Sequence, residues 1–415
     1  MKSRFLKTTL LKKSKSIHTR IIVLTGARQT GKTTLARHCF PSYKYLSIED
    51  PVLRMEYKKL TAAQWNEIYP EAILDEVQKE PVLIESVKAT YDQYAEVRYL
   101  LLGSSQLLLL KKVKESLAGR CAIEEVLPLT LPELLSTSWE ESPNYSLYQD
   151  FLKNLKLPDL LPSFNLYPDF TKRANIFRYY LTNGGYPALI REGMNNEERF
   201  EWLKTYVRTY LERDIRDLAE MKNLEPFVKI QKMSALLTGQ LVNFSTLANE
   251  ADVSSKTAKR FIQYLEISYQ AFMLQPWFGN PLKRLVKTPK LHYLDPGIQR
   301  AILQKQGDFN GHEFESAVVS EIYKQTKILK TNGTFYHLRT HDGLEIDLLL
   351  ELETGFIAFE IKLSEKVSDR DARHLFKLPE ILNKQLIHGF VLSNDSEIKQ
   401  LAKNITAIPA AMLLT

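Results

Sequence analysis

Gly26-Ala27-Arg28-Gln29-Thr30-Gly31-Lys32-Thr33 has the spacing G-x4-G-K-[ST] and runs on into Thr34. A loop of this kind does phosphate chemistry: its glycines let backbone N–H groups turn inward on phosphate oxygens, and a helix opening at its end adds positive potential. Residues 26–34 are therefore expected to bind a nucleotide. Lys32 would reach the β- and γ-phosphates and act in catalysis, while the Thr33 hydroxyl would ligate Mg²⁺. Hydrolysis also needs a second metal ligand and a group that positions water. Ala72-Ile73-Leu74-Asp75-Glu76 supplies both, with Asp75 as metal carboxylate and Glu76 as general base. Ser104 and Ser105, after the apolar run 99–102, stand where a sensor of the γ-phosphate would sit. Arg120, in Ser116-Leu117-Ala118-Gly119-Arg120, would stabilise transition-state charge in its own subunit or in a neighbour's.

A second set of chemically capable residues lies near the other end. Glu315 sits on a helix-like stretch opened by Gly311-His312-Glu313, Asp347 on the apolar run Glu345–Leu350, and Glu360 and Lys362 alternate with Ile357, Phe359 and Ile361. Strand period two puts Glu360 and Lys362 on one face and the apolar residues on the other. An acid on one strand, E-x-K on the next and an acid on a preceding helix resembles the metal-dependent nucleases of the restriction-endonuclease-like fold. That resemblance implies Asp347 and Glu360 holding Mg²⁺, Glu315 completing the shell and Lys362 positioning or activating water. The competing expectation is a nuclease-derived scaffold used for binding, in which these acids make salt bridges.

A third set is basic. The stretch 243–260 reads as helix, tight turn, helix, with Ser245 and Ser254 as N-caps and Ala258, Ile262 and Leu265 on one apolar face. Lys256, Lys259 and Arg260 are left outside, which is the helix-turn-helix arrangement of a winged-helix module and would allow contact with DNA phosphates. Such modules also serve as spacers between domains.

The elements that must carry these residues follow from hydrophobic pattern. Short apolar runs at 20–24, 43–48, 72–74 and 99–102 alternate with helix-like stretches, the rhythm of a parallel sheet with crossover helices. The expected fold class is α/β. Residues 1–135 form a nucleotide domain, and 136–175, broken by Pro143, Pro158, Pro162 and Pro168, a linker or irregular insertion. A helical segment follows at 176–225, a winged-helix-like module at 226–280 and an α/β domain at 281–415. The 415 residues are 44% hydrophobic and 25% charged, a globular composition that excludes disorder as the main state. A net charge of +7 is compatible with nucleic-acid contact. Two cysteines exclude a disulfide framework or a four-cysteine zinc site, and no apolar run reaches the ~20 residues of a membrane span, so the expectation is a cytoplasmic protein without a membrane partner. The basic N-terminus lacks a secretory core and reads as a helix leading into the first strand.

Taken in order, GARQTGKTT, AILDEVQ, LLGSSQ, SLAGR and VLPLTLPELL resemble prokaryotic ATPases of the AAA superfamily whose C-terminal half is a domain of unknown function with a nuclease-like core. The resemblance continues through Asn183-Gly184-Gly185-Tyr186-Pro187, 210–215 and 290–295, and covers nearly the whole chain. It implies ATP rather than GTP, with Mg²⁺ as cofactor. The expected function is ATP hydrolysis coupled to binding of double-stranded DNA or other nucleic acid. The alternative is a nucleotide-controlled switch that binds a protein partner. A homo-oligomer is expected if Arg120 acts across subunits.

Overall fold

The computed structural model describes residues 1–17, 19–103, 113, 115–158, 169–211, 223–279 and 288–415, without the side chains of 210 and 211. Five strands, β1 (Ile21–Thr25), β2 (Lys44–Ser47), β3 (Glu71–Asp75), β4 (Arg98–Leu102) and β5 (Cys121–Glu125), form a wholly parallel sheet in the order β2-β3-β4-β1-β5. Both faces are covered, which is why these strands read as continuous apolar runs. Ile21, Val23, Leu74 and Leu101 pack against Trp65, Leu83 and Val87 on one side, while Ile22, Leu24, Ile73 and Leu100 pack against Leu10, Leu35 and Phe40 on the other. Leu10 belongs to the N-terminal helix Phe5–Ser14 expected from the sequence.

The middle of the chain is helical. The helices Phe170–Asn183, Asn196–Tyr206, Glu225–Leu236, Phe244–Glu250 and Ser255–Ile267 are followed by β7 (Ala271–Pro276) and β8 (Lys290–Tyr293). With the short β6 (Gln240–Leu241) these two make an antiparallel sheet in the order β6-β8-β7. β8 thus completes a module whose expected end lay at residue 280. Asn243, not Ser245, caps the first helix of the helix-turn-helix, accepting from the N–H groups of Ser245 and Thr246; Ser254 caps the second as expected.

The last unit is built on β9 (Gly333–Arg339), β10 (Glu345–Leu352), β11 (Phe356–Ile361), β12 (Leu386–Ser393), β13 (Lys399–Ala402) and β14 (Ile405–Pro409). β9, β10 and β11 form an antiparallel meander, β11-β12-β14 are parallel, and β9 pairs in parallel with β7, joining the two sheets. The helix Gly311–Leu329 lies across it, burying Phe314, Val318 and Ile322 against Leu348, Leu350, Ile357 and Phe359.

The expected linker 136–175 is corrected by this core. Ser146 and Gln149 form a capping box that starts the helix Leu147–Asn154, whose Tyr148 and Phe151 stack edge-on against Phe359 and Phe390. The next helix begins at Phe170 rather than 176 and adds Phe177 and Tyr180. Prolines broke the periodicity on either side of a short amphipathic helix, and a helix of eight residues was too brief to stand out between them.

Candidate nucleotide site and carboxylate cluster

The loop 26–31 links β1 to the helix Lys32–Cys39. Gly26 has φ +142°, and a Cβ there would lie 2.3 Å from the Val126 carbonyl oxygen, so the loop closes against the end of β5 only with glycine. Lys32 is buried and its Nζ donates to the carbonyls of Gly26 (2.9 Å) and Ala27 (2.8 Å), folding the ammonium over the concave side of the loop. The Thr33 hydroxyl donates to Asp75 Oδ2 at 2.7 Å, and the Tyr45 hydroxyl donates to the same oxygen at 2.9 Å. Burial and the Asp75 charge push the Tyr45 phenol up, so it remains a donor. Glu76 follows in the left-handed region at φ +58°, a conformation that costs a non-glycine residue free energy and that turns its carboxylate toward the cleft. Gln78 Nε2 donates to Glu76 Oε2 at 2.5 Å.

Residues 28–35 and Glu76 line a cleft of about 930 Å³. Its wall carries Lys2, Arg4, Arg28, Lys32 and Arg191 against Glu76 and Glu192, a positive balance suited to a polyphosphate. The oxygen set, Thr33 hydroxyl and Asp75 carboxylate, fits Mg²⁺. Lys2, Arg4 and Arg191 had no signal in the loop motif, since they come from the N-terminal helix lead-in and from the segment after Pro187.

Arg120 is not brought to this site within its own chain. It precedes β5, and β5 runs parallel to β1 with Cys121 beside Ile21, so Arg120 lies at the end of the sheet opposite the loop, ~16 Å of strand away. There its guanidinium pairs with Asp92 at 2.8 Å on the surface. Ser104 and Ser105 lie outside the described residues.

The helical middle reaches the loop at several points. Tyr206 Oη donates to the Arg28 carbonyl at 2.9 Å, and Pro187 packs beside Gly31. Tyr269, two residues beyond the helix Ser255–Ile267, donates to the Thr25 hydroxyl at 3.0 Å, immediately before Gly26. Asp295, fully buried, accepts from the N–H of Gly185 at 2.7 Å and from that of Ile298 at 3.2 Å. Gly184, at φ +76°, is glycine because a Cβ would strike that carboxylate. The Asn183-to-Pro187 motif is thereby held between the cleft and the helix Pro296–Ile302. On the outer face of Ser255–Ile267, Lys256, Lys259 and Arg260 are exposed, as the periodicity required.

Glu315, Asp347, Glu360 and Lys362 do come together. Lys362 Nζ lies 2.8 Å from Glu360 Oε2 and 3.8 Å from Asp347 Oδ2, and Asp347 Oδ2 also accepts from the Ile361 N–H at 2.8 Å. The surprise is Lys290, whose buried Nζ lies 2.9 Å from Glu345 Oε1, 3.1 Å from Glu315 Oε1 and 3.7 Å from Asp347 Oδ1. His374 Nδ1 stands 3.2 Å from Glu360 Oε1. Burial, followed by the Asp347 charge, pushes Glu360 up to about 8 and Glu315 up as well. Among the described residues no group of three or more His, Cys, Asp or Glu side chains is disposed to hold a metal ion. An ammonium stands among the oxygens a divalent ion would need, so the donor set does not fit the Mg²⁺ expected at Asp347 and Glu360. Lys290, Glu345 and His374 were missed in the sequence; the signal available was Lys290 alternating with His292 opposite the apolar Leu291 and Tyr293.

Three family models match in succession: the AAA domain at residues 18–135, a domain of unknown function (DUF8612) at 174–308 and another (DUF4143) at 310–413. Residues 18–135 are thus similar to AAA domains, a class that binds and hydrolyses ATP. The chain is similar to Rv2008c of Mycobacterium tuberculosis, 27% identical over 95% of this chain and 81% of that protein. It is also similar to MJ1544 of Methanocaldococcus jannaschii, 22% identical over 81% and 73%. Among solved structures, the Walker-type ATPase PABY2304 of Pyrococcus abyssi is 16% identical, over 71% of this chain and 94% of that one, with a TM-score of 0.45. Among the described residues no helix is long and apolar enough to cross a membrane.

Proposed function

We propose that the chain is a Mg²⁺-dependent ATPase that couples its nucleotide state to binding of double-stranded DNA through the middle module. Residues 26–34 cradle the phosphates, Lys32 neutralises the charge that grows on the transferred phosphoryl group, and Thr33 and Asp75 hold the metal. Glu76 takes the proton of the attacking water. Lys256, Lys259 and Arg260 meet DNA phosphates on the outer face of a winged-helix module. The observation that carries the coupling is the Tyr269–Thr25 hydrogen bond, which ties the end of the basic helix to the residue before the phosphate loop.

The test is ATP hydrolysis with and without duplex DNA, Lys32→Ala being the control. Stimulation by DNA that disappears when Lys256, Lys259 and Arg260 become Ala supports the reading; hydrolysis indifferent to DNA overturns the coupling. The second reading, a nucleotide-controlled switch that binds a protein partner and has a nuclease-like domain without nuclease chemistry, is favoured by Lys290 standing within the carboxylate cluster.

A further inference from the structure

Strand β8 has two unlike faces. Leu291 and Tyr293 belong to the apolar core of the middle module, whereas Lys290 points the other way into the C-terminal unit. There its side chain is 4% exposed, among carboxylates from the helix Gly311–Leu329 and from β10. A buried ammonium persists only when opposite charge and hydrogen bonds offset its lost hydration, and three carboxylates do so here. The geometry points to Lys290 as the built-in cation of this cluster, which keeps divalent metal out and latches β8 onto the C-terminal sheet.

Distances support an ammonium-shaped site. Mg²⁺ draws its oxygens to about 2.1 Å, whereas an ammonium keeps them near 2.8 Å. The two nearest oxygens around Nζ stand at 2.9 and 3.1 Å and the third at 3.7 Å. A divalent ion seated among these oxygens of Glu315, Glu345 and Asp347 would take the position of Nζ, so there the two are mutually exclusive. A divalent ion enters only if β8 withdraws or the lysine is removed. Lys362 sits at the opposite side, between Glu360 and Asp347, and does not substitute for Lys290 at Glu315 or Glu345. The inference is independent of the ATPase and DNA readings, because every residue in it lies outside the nucleotide cleft.

The experiment is titration of the full chain with Mn²⁺ alone, without nucleotide, followed by electron paramagnetic resonance of the free ion. Wild type, Asp347→Asn, Lys290→Met and the double variant are compared, so that any Mn²⁺ held near Asp75 is common to all four. Wild type and Asp347→Asn should bind equally. Lys290→Met should gain one Mn²⁺ per chain, and the double variant should lose it. A wild-type site abolished by Asp347→Asn overturns the inference, as does a folded Lys290→Met that gains none. If Lys290→Met does not fold, the wild-type and Asp347→Asn pair decides alone: equal binding supports the inference, and a lost site overturns it.

Discussion

The phosphate loop and the C-terminal carboxylate cluster both concentrate charge, yet they are built in opposite ways. The loop and the first turn of its helix are nine consecutive residues, 26–34, beside a cleft with an excess of basic side chains. The cluster is assembled from a helix and three strands, buries Lys290, Glu315, Asp347 and Glu360, leaves Glu345 and Lys362 partly exposed, and sets two lysines of its own among the acids. One site is left with a positive balance that suits an anionic ligand; the other sets lysines of its own among its acids. That difference separates a centre poised for chemistry from one poised to hold two units together.

The comparison is broken most directly by Lys32→Ala. Loss of the phosphate-neutralising ammonium should lower ATP turnover by roughly 100-fold or more, the scale of removing one preorganised charge from a transition state. Thermal unfolding of the C-terminal unit should be unchanged. Glu76→Gln should also lower turnover by roughly 100-fold or more but leave ATP bound, because the lost group handles the water and not the phosphates. Full turnover in Glu76→Gln, read by phosphate release, would assign the proton to another group. Arg120→Ala sharpens the point. Its distance from the loop predicts less than a twofold change in turnover at dilutions where the chain is monomeric; a larger loss only at high protein concentration would locate Arg120 in a neighbouring subunit's site.

For the C-terminal unit the informative quantity is stability. Phe151→Ala should cost about 3–5 kcal/mol in denaturant unfolding, the cost of emptying a packed aromatic site. A linker residue would cost almost nothing, so this value distinguishes the two descriptions of 136–175. Glycine at 26 and the apolar strands around it were legible because they are local: contiguous residues set the turn and parallel strands buried on both faces read as unbroken apolar runs. The helix Leu147–Asn154 was not, since its amphipathic signal is two turns long and its partners, Phe359 and Phe390, are more than 200 residues away. An own-chain role for Arg120 was suggested by chain order; strand direction excludes it, because in a parallel sheet a residue that precedes a strand lies at the edge away from the phosphate loop. The acids 347 and 360 were legible from strand period, and 315 from the resemblance to metal-dependent nucleases, but not the lysine that meets them. A pairing between β8 and a helical residue 25 positions on leaves no periodic trace in the sequence.

The last expected effect is on acid stability. His388 lies under Phe151, its ring buried against Phe390, and burial lowers it to about 4, below the ordinary imidazole value of ~6.5. Its neutral form is the one that the fold accepts. The associated stability is fully present above about pH 6.5 and is lost as the pH falls through 4, where the unfolded chain binds the proton first. His388→Leu cannot take up that proton. Between pH 7 and pH 4.5 the variant should therefore lose less unfolding free energy than wild type, by on the order of 1–3 kcal/mol. ATP turnover at pH 7 should be the same in both, since the ring is in the C-terminal core and far in sequence from the loop. Equal acid losses in the two proteins would mean that His388 takes up its proton as readily in the fold as in the unfolded chain, with Thr406, whose hydroxyl stands 3.0 Å from Nε2, accepting from the imidazolium.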